Sequence, residues 1–183
     1  MKHTIRNVRH EDWKKAKDLR LDALRDPVAH LAFLETYERA AAQPDDYWQS
    51  RAARSGEGIS SRQFVAEAED GSWLGSVSVL VELPGAEDVF GGAPELPQTH
   101  VVGVFVRPGA RGTGLAGELF RAALDWSWSL TEPRIERVRL YVHEDNARAE
   151  ALYRKAGFRR TGVTIPFPTD TTQIENELAV DRP

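Results

Sequence analysis

The stretch Val104-Phe105-Val106-Arg107-Pro108-Gly109-Ala110-Arg111-Gly112-Thr113-Gly114-Leu115-Ala116 decides how this chain is read. An apolar, β-prone run ends at Pro108-Gly109. An Arg-Gly-x-Gly turn follows, and helix-like sequence then continues to Leu130. Glycines let a backbone approach an anion closely, and the first turn of a helix has N–H groups with no intrahelical partner. The helix dipole places partial positive charge at the same end. The stretch therefore reads as a phosphate cradle. It is not the common nucleotide loop, because GxxxxGK[ST] is absent, and it is not read as a dinucleotide-binding GxGxxG either.

A second segment runs from Leu140 to Phe158. Val138, Leu140 and Val142 alternate as a strand would, and Asn146 is a good helix N-cap. Ala149, Leu152, Tyr153 and Ala156 follow at helical spacing on one face, Gly157 suits a C-cap, and Phe158 restarts a strand.

Together the two segments resemble the GNAT superfamily, the acyl-CoA-dependent N-acetyltransferases. Arg111, Gly114 and Ala116 match its Arg/Gln-x-x-Gly-x-Gly/Ala turn. Asn146, Ala149, Leu152, Tyr153, Gly157 and Phe158 match every position of its Asn-x-x-Ala-x-x-Leu-Tyr-x-x-x-Gly-Phe signature. The resemblance is strongest from Thr99 to Thr161.

Periodicity and turn residues give an order of elements along the chain. Thr4 to Val8 reads as a strand and Glu11 to Arg25 as a helix, stopped by Asp26-Pro27. Ala29 to Ala42 is helix-prone but irregular, Pro44 to Arg54 is a helix, and 55 to 62 is a loop. Phe64 to Glu69 and Trp73 to Val81 form a hairpin through Asp70-Gly71-Ser72. Leu83 to Gln98, with three Pro and three Gly, is a loop. His100 to Val106, Arg134 to Val142, Phe158 to Ile165 and Glu175 to Val180 are strands. Gly112 to Leu130 and Asn146 to Ala156 are helices. The order predicts an α/β protein with one mixed parallel and antiparallel sheet, which is also the GNAT fold, in a single domain over 1–183.

Composition narrows the function. Of 183 residues 41% are hydrophobic, and the formal net charge is −4. That disfavours wholesale nucleic-acid binding. With no cysteine there is no disulfide, thiolate zinc ligand or thiol nucleophile. The first residues lack the apolar core of a signal peptide, and no apolar stretch is long enough for a membrane span, so a cytoplasmic protein is expected. His143-Glu144-Asp145 lacks a spaced second His, so no metal site is expected.

The resemblance implies acetyl-CoA as co-substrate and an amine as acceptor. Its pyrophosphate would lie on Arg111, Gly112, Thr113, Gly114, Leu115 and Ala116, with Arg111 and Arg107 adding charge. The backbone of Val104, Phe105 and Val106 would pair with the pantetheine amides, at a splay between two parallel strands that Gly103 could assist as a bulge. Asn146 would both cap its helix and bond the cofactor. Tyr153 would protonate the departing thiolate, since a phenol near pKa ~10 is protonated at neutral pH.

The base is open. The strand before the cradle has no carboxylate between Glu95 and Glu118. His100 is the nearest substitute and Glu82 the alternative, with His143 and Glu144 also in reach. Phe33 to Tyr37 could wall the acceptor site. Acids in two loops, Glu87, Asp88 and Glu95, then Asp170, Glu175, Glu177 and Asp181, suggest an acidic mouth for a cationic amine. The leading reading is an N-acetyltransferase for small amines. A protein N-acetyltransferase and a non-catalytic acyl-CoA-binding module are the alternatives, and a homodimer is compatible with the family.

Overall fold

The computed structural model describes residues 2–86 and 93–183. Seven strands form one sheet: β1 (His3–Asn7), β2 (Ser61–Ala68), β3 (Trp73–Glu82), β4 (Gln98–Val106), β5 (Arg137–His143), β6 (Arg159–Phe167) and β7 (Asp170–Asp181). Their order is β1-β2-β3-β4-β5-β7-β6. Every neighbouring pair is antiparallel except β4 with β5, as the mixed-sheet reading predicts. The helices are α1 (Trp13–Leu24), α2 (Ala29–Ala32), α3 (Tyr37–Ala41), α4 (Asp45–Glu57), α5 (Leu115–Ser129) and α6 (Ala147–Lys155). Among the described residues no helix is long and apolar enough to cross a membrane.

Each face of the sheet has its own core. On one face, α5 buries Leu115, Leu119, Phe120 and Ala123 at helical spacing against Val77, Val79, Val101, Val138 and Leu140. Ala149, Leu152, Tyr153 and Ala156 of α6 pack against the same cluster. On the other face, Leu19 and Ala23 of α1 and Ala52 of α4 close over Val65 and Phe105. Removing a side chain the size of Phe120 from water stabilises the fold by about 1.5–3 kcal/mol.

Several boundaries differ from the sequence reading for local reasons. The helix-prone 29–42 segment divides into α2 and α3, because Phe33 turns to extended backbone and Thr36 caps α3 through a bond from the Arg39 amide at 3.3 Å. Helix α4 runs on to Glu57 and stops at Gly58, whose φ of 65° is the left-handed stop. Helix α5 starts at Leu115 and not Gly112, because both glycines of the turn adopt positive φ. β7 is twice the predicted strand, from Asp170 to Asp181, because it pairs on both sides, with β5 and β6.

Candidate active site

β4 and β5 pair only over Gln98–His100 with Arg137–Arg139. Beyond His100 they part. On its other edge β4 carries a bulge: its register with β3 steps from Ser78↔Val102 to Ser76↔Phe105, and Gly103 sits at φ 63°. An extra residue in one strand bends it and raises its twist, and glycine makes that φ cheap. The β5-facing edge of Val101 to Val106 consequently has no strand partner among the described residues. A cavity of 580 Å³ opens at the split. Both faces contribute to it, with Tyr153 from α6 on one side and Arg20 and Arg51 from α1 and α4 on the other. Phe33, Leu34 and Glu35 line it, whereas Thr36 and Tyr37 of the expected wall do not, and Val102, Gly103 and Val104 lie along its β4 side.

At the end of β4 the chain makes a 3₁₀ turn over Pro108–Ala110 and then two left-handed glycines, Gly112 at φ 77° and Gly114 at φ 91°. A Cβ added at either would meet nothing within 4 Å, so both face open space. Thr113 Oγ1 donates to the Ala110 carbonyl at 2.8 Å and fixes the turn. The N–H groups that open α5 have no acceptor inside the helix. Exposed Gly112, Thr113 and Gly114 thus lead into a helix N-terminus, which fits a pyrophosphate.

The charge expected beside this cradle is committed elsewhere. Arg111 Nε donates to the Val106 carbonyl at 2.8 Å, and its Nη2 pairs with Asp26 Oδ2. The Arg111 amide donates to the Pro108 carbonyl at 3.2 Å. Arg107 Nε donates to the Trp73 carbonyl at 2.6 Å and Nη1 to Asp22 Oδ2 at 2.7 Å. Both arginines are struts that tie the turn to α1 and the segment after it. The turn also spells G-x-G-x-x-G at Gly112, Gly114 and Gly117, which the sequence reading passed over. In a dinucleotide fold the third glycine lets helix and strand pack closely. Here a Cβ at Gly117 would meet nothing within 4 Å, so that role is absent.

Tyr153 stacks edge-on against Phe120, with ring centroids 5.5 Å apart. Burial, helped by the nearby Glu175 charge, pushes its phenol up to about 12. It therefore stays protonated through the neutral range. Burial also pushes the Glu175 carboxyl up, against the pull of His143. Glu175 lines the cavity, and no hydrogen bond to its carboxylate is found among the described residues. The sequence reading counted Glu175 only as one more loop acid. The missing signal was its register: it pairs with His143 of β5, beside the split. Asn146 Oδ1 accepts from the Ala149 amide at 3.2 Å, so the cap is made and the side-chain NH₂ is the group left to offer a ligand.

His100 is 3% exposed and belongs to the cavity wall. Its Nδ1 lies 2.8 Å from Glu82 Oε1, and its ring meets Tyr141 edge-on at 5.5 Å. Glu82 Oε2 accepts from Gln98 at 2.6 Å and from Arg139 Nε at 2.9 Å. Burial pushes the Glu82 carboxyl up, but the bond and charge of His100, with Arg139 and Gln98, outweigh it and hold it at about 2. A carboxylate held there is a weak base and a strong acceptor. Facing Nδ1, it favours a proton on that nitrogen and orients the ring. His143 is spent on structure: Nε2 meets Gln173 Oε1 at 2.5 Å and Nδ1 accepts from the Asp145 amide at 3.1 Å. Glu144 accepts from the Ile174 amide at 2.9 Å.

Among the described residues the named acids do not gather into an acidic mouth. Glu87 and Asp88 lie outside the described residues, and Glu95 is exposed and away from the cavity. Asp170 holds its own turn through Thr172, at 2.6 Å to the hydroxyl. Glu177 is buried against Arg137 at 2.8 Å and Arg139 at 3.3 Å. Asp181 is exposed at the end of β7. Of the named acids among the described residues only Glu175 lines the cavity, beside Glu35 and four arginines. Loop composition does not reveal which acids strand pairing and ion pairs draw away from the mouth.

Comparisons with known proteins agree with the fold. A family described as "Acetyltransferase (GNAT) family" matches residues 17–158. A mycothiol acetyltransferase of Saccharomonospora viridis is 38% identical over 104 residues, 57% of this chain and 32% of that protein. One from Beutenbergia cavernae is 44% identical over 70 residues, 38% of this chain and 22% of that protein. The chain thus spans about a third or less of these relatives. A GNAT-family acetyltransferase of Streptococcus pneumoniae superimposes with a TM-score of 0.72 at 14% identity, over 99% of this chain and 100% of that one. The putative acetyltransferase yncA of Salmonella typhimurium, solved with acetyl-CoA, gives 0.71 at 17% identity, over 99% and 94%.

Proposed function

Because the chain belongs to the GNAT family of acetyltransferases, we propose that it transfers the acetyl group of acetyl-CoA to the primary amine of a small molecule by direct attack. The observation that carries this reading is the single cavity at the β4/β5 split. It brings Tyr153, His100 and Glu175 to one wall-lined space beside the strand that leads to the cradle. Gly112 to Ala116 hold the pyrophosphate by their amides, and Arg111 and Arg107 brace the turn. Val104 to Val106 offer their free backbone edge to the pantetheine arm, as a sheet edge does to an added strand. Asn146 adds its side-chain NH₂.

The amine nitrogen forms a bond to the thioester carbonyl carbon, and the carbon–sulfur bond breaks. His100 takes the ammonium proton, with Glu82 orienting its ring. Tyr153 gives its proton to the departing thiolate, and the second proton that the nitrogen sheds as the amide forms restores the phenol. Relatives named for mycothiol and structural neighbours named for spermidine are in keeping with small acceptors.

The test is thiol release from acetyl-CoA over a panel of small amines and an N-terminal peptide. Turnover of a small amine above the peptide supports the reading. Turnover of the peptide alone overturns it, and so does binding of acetyl-CoA with no amine consumed.

A further inference from the structure

The cavity carries more positive charge than its own acids answer. Arg20, Arg51, Arg54 and Arg62 line it, against Glu35 and Glu175. Glu35 is already used. Its Oε2 accepts from Arg20 Nε at 3.1 Å and Nη2 at 3.0 Å. Glu175 stands without a cationic partner among the described residues, and its carboxyl is pushed towards the neutral form by burial.

Arg51 is the cation left over. Among the described residues its side chain makes one hydrogen bond, from Nη1 to the Tyr47 hydroxyl at 3.2 Å, and no carboxylate reaches it. The guanidinium lies 5.7 Å from the Tyr47 ring centroid and 5.6 Å from that of Trp48, which hold its stem and leave donors to the cavity. It sits close enough to Arg20 to depress that residue's proton affinity, beyond what burial does. Two cations facing one cavity with one committed carboxylate repel each other unless a ligand answers them. Arg54, one turn further along α4, reaches the same space. Arg62 lies apart from them, its guanidinium 5.7 Å from the Trp126 ring centroid of α5 on the other face of the sheet.

We infer that the acceptor amine carries an anionic group, a carboxylate, sulfonate or phosphonate, and that Arg51 with Arg54 receives it while the amine lies toward His100 and Tyr153. A planar guanidinium fork suits any of these oxyanions. The arginines belong to the acceptor and not to the donor phosphates. Arg51 and Arg54 come from α4, whereas the anion cradle lies beyond the far end of β4. This inference rests on the acetyl-transfer reading of the same cavity and adds the acceptor's charge to it.

The test uses amines on spacers of two to four carbons that differ only at the far end: ω-amino carboxylates, taurine and its homologues, aminoalkylphosphonates, plain alkylamines and diamines. Initial rates give kcat/KM for each. One charged hydrogen-bonding partner should favour an anionic amine over the plain alkylamine by roughly 10- to 100-fold. The best of the three anions identifies the group. Arg51→Gln should erase most of that preference through KM, leave the KM for acetyl-CoA unchanged, and be partly rescued by Arg51→Lys. Diamines as the best substrates would overturn the inference while leaving acetyl transfer intact. A raised acetyl-CoA KM in Arg51→Gln would also overturn it, by assigning the arginines to the donor.

A second readout needs no turnover. The CoA-saturated protein is titrated with an aminoalkylphosphonate and with the matching diamine, and melting temperature is followed. Stabilisation by the phosphonate that disappears in Arg51→Gln supports the anion site even if no amine is acetylated, in which case the acetyl-transfer reading fails alone. No stabilisation by any anionic amine refutes the site.

Discussion

Gly114→Asp separates the cradle's structural role from its proposed binding role. Gly114 precedes α5 at φ 91° and ψ −7°. A Cβ there meets nothing within 4 Å, so the substitution costs backbone strain and no collision. Holding an L-residue in the left-handed region costs about 1–2 kcal/mol. A carboxylate at a helix start returns about 0.3–1 kcal/mol of that. The net loss is near 1 kcal/mol, which for a chain of this size lowers Tm by roughly 2–4 °C. The protein stays folded. Binding should change far more. A carboxylate about 5 Å from a pyrophosphate costs about 1–3 kcal/mol per unit charge at effective dielectric constants of 80 to 20, or roughly 5- to 150-fold in Kd. Gly114→Ala carries the strain without the charge and should lose stability while keeping most of the affinity. Calorimetry with CoA, beside a thermal melt of each variant, reads both quantities. A folded Gly114→Asp protein that binds CoA as tightly as the parent would refute the assignment of these amides to the pyrophosphate.

Tyr153→Phe keeps the ring against Phe120 and removes the acid. It should lower kcat by ~10²–10⁴ with little change in acetyl-CoA affinity, and unchanged turnover would leave Tyr153 a packing residue. Because its phenol is held at about 12, the parent enzyme should show no alkaline loss from this group below pH 10. If His100 is the base, His100→Gln should abolish the acid limb of kcat/KM, whereas Glu82→Gln should weaken activity while a limb persists; matching pH profiles for parent and His100→Gln would remove His100 from the chemistry. Glu175→Gln removes a carboxylate whose charged form burial disfavours against the pull of His143, so at neutral pH it should raise the melting temperature, and an unchanged or lowered melting point would mean that a partner compensates the charge. Glu67 is drawn to about 2 chiefly by its bond from Arg6, and Glu82 to about 2 against its burial, both from an ordinary 4.5. The unfolded chain therefore binds protons first, so this stability is complete above pH 5 and drains as pH falls from 4.5 towards 2. Urea midpoints at pH 7, 4 and 3 should drop in that order, with the loss reduced in Glu67→Gln.

What the sequence determined by itself is local. The cradle follows from a strand, a proline stop and glycines at fixed spacing, all within thirteen residues of chain. The apolar stripe of α6, the Asn146 cap and the alternating strands follow from periods of 3.6 and 2 read over a dozen residues. These features need no knowledge of what lies across the fold, and the structure contains them.

What only the tertiary structure decided depends on pairing between distant segments. Arg107 and Arg111 looked like phosphate ligands beside the turn, but Asp22 and Asp26, each 85 residues away, take their charge. Glu177 looked like a mouth acid and is instead buried with Arg137 and Arg139. Glu175, two residues earlier, faces the cavity without such a partner. Arg51 was one helical residue among many until α4 docked beside the β4/β5 split. Charge in a sequence is a list of groups. Whether a group reaches a ligand depends on which partner neutralises it first, and that is fixed by packing across the sheet.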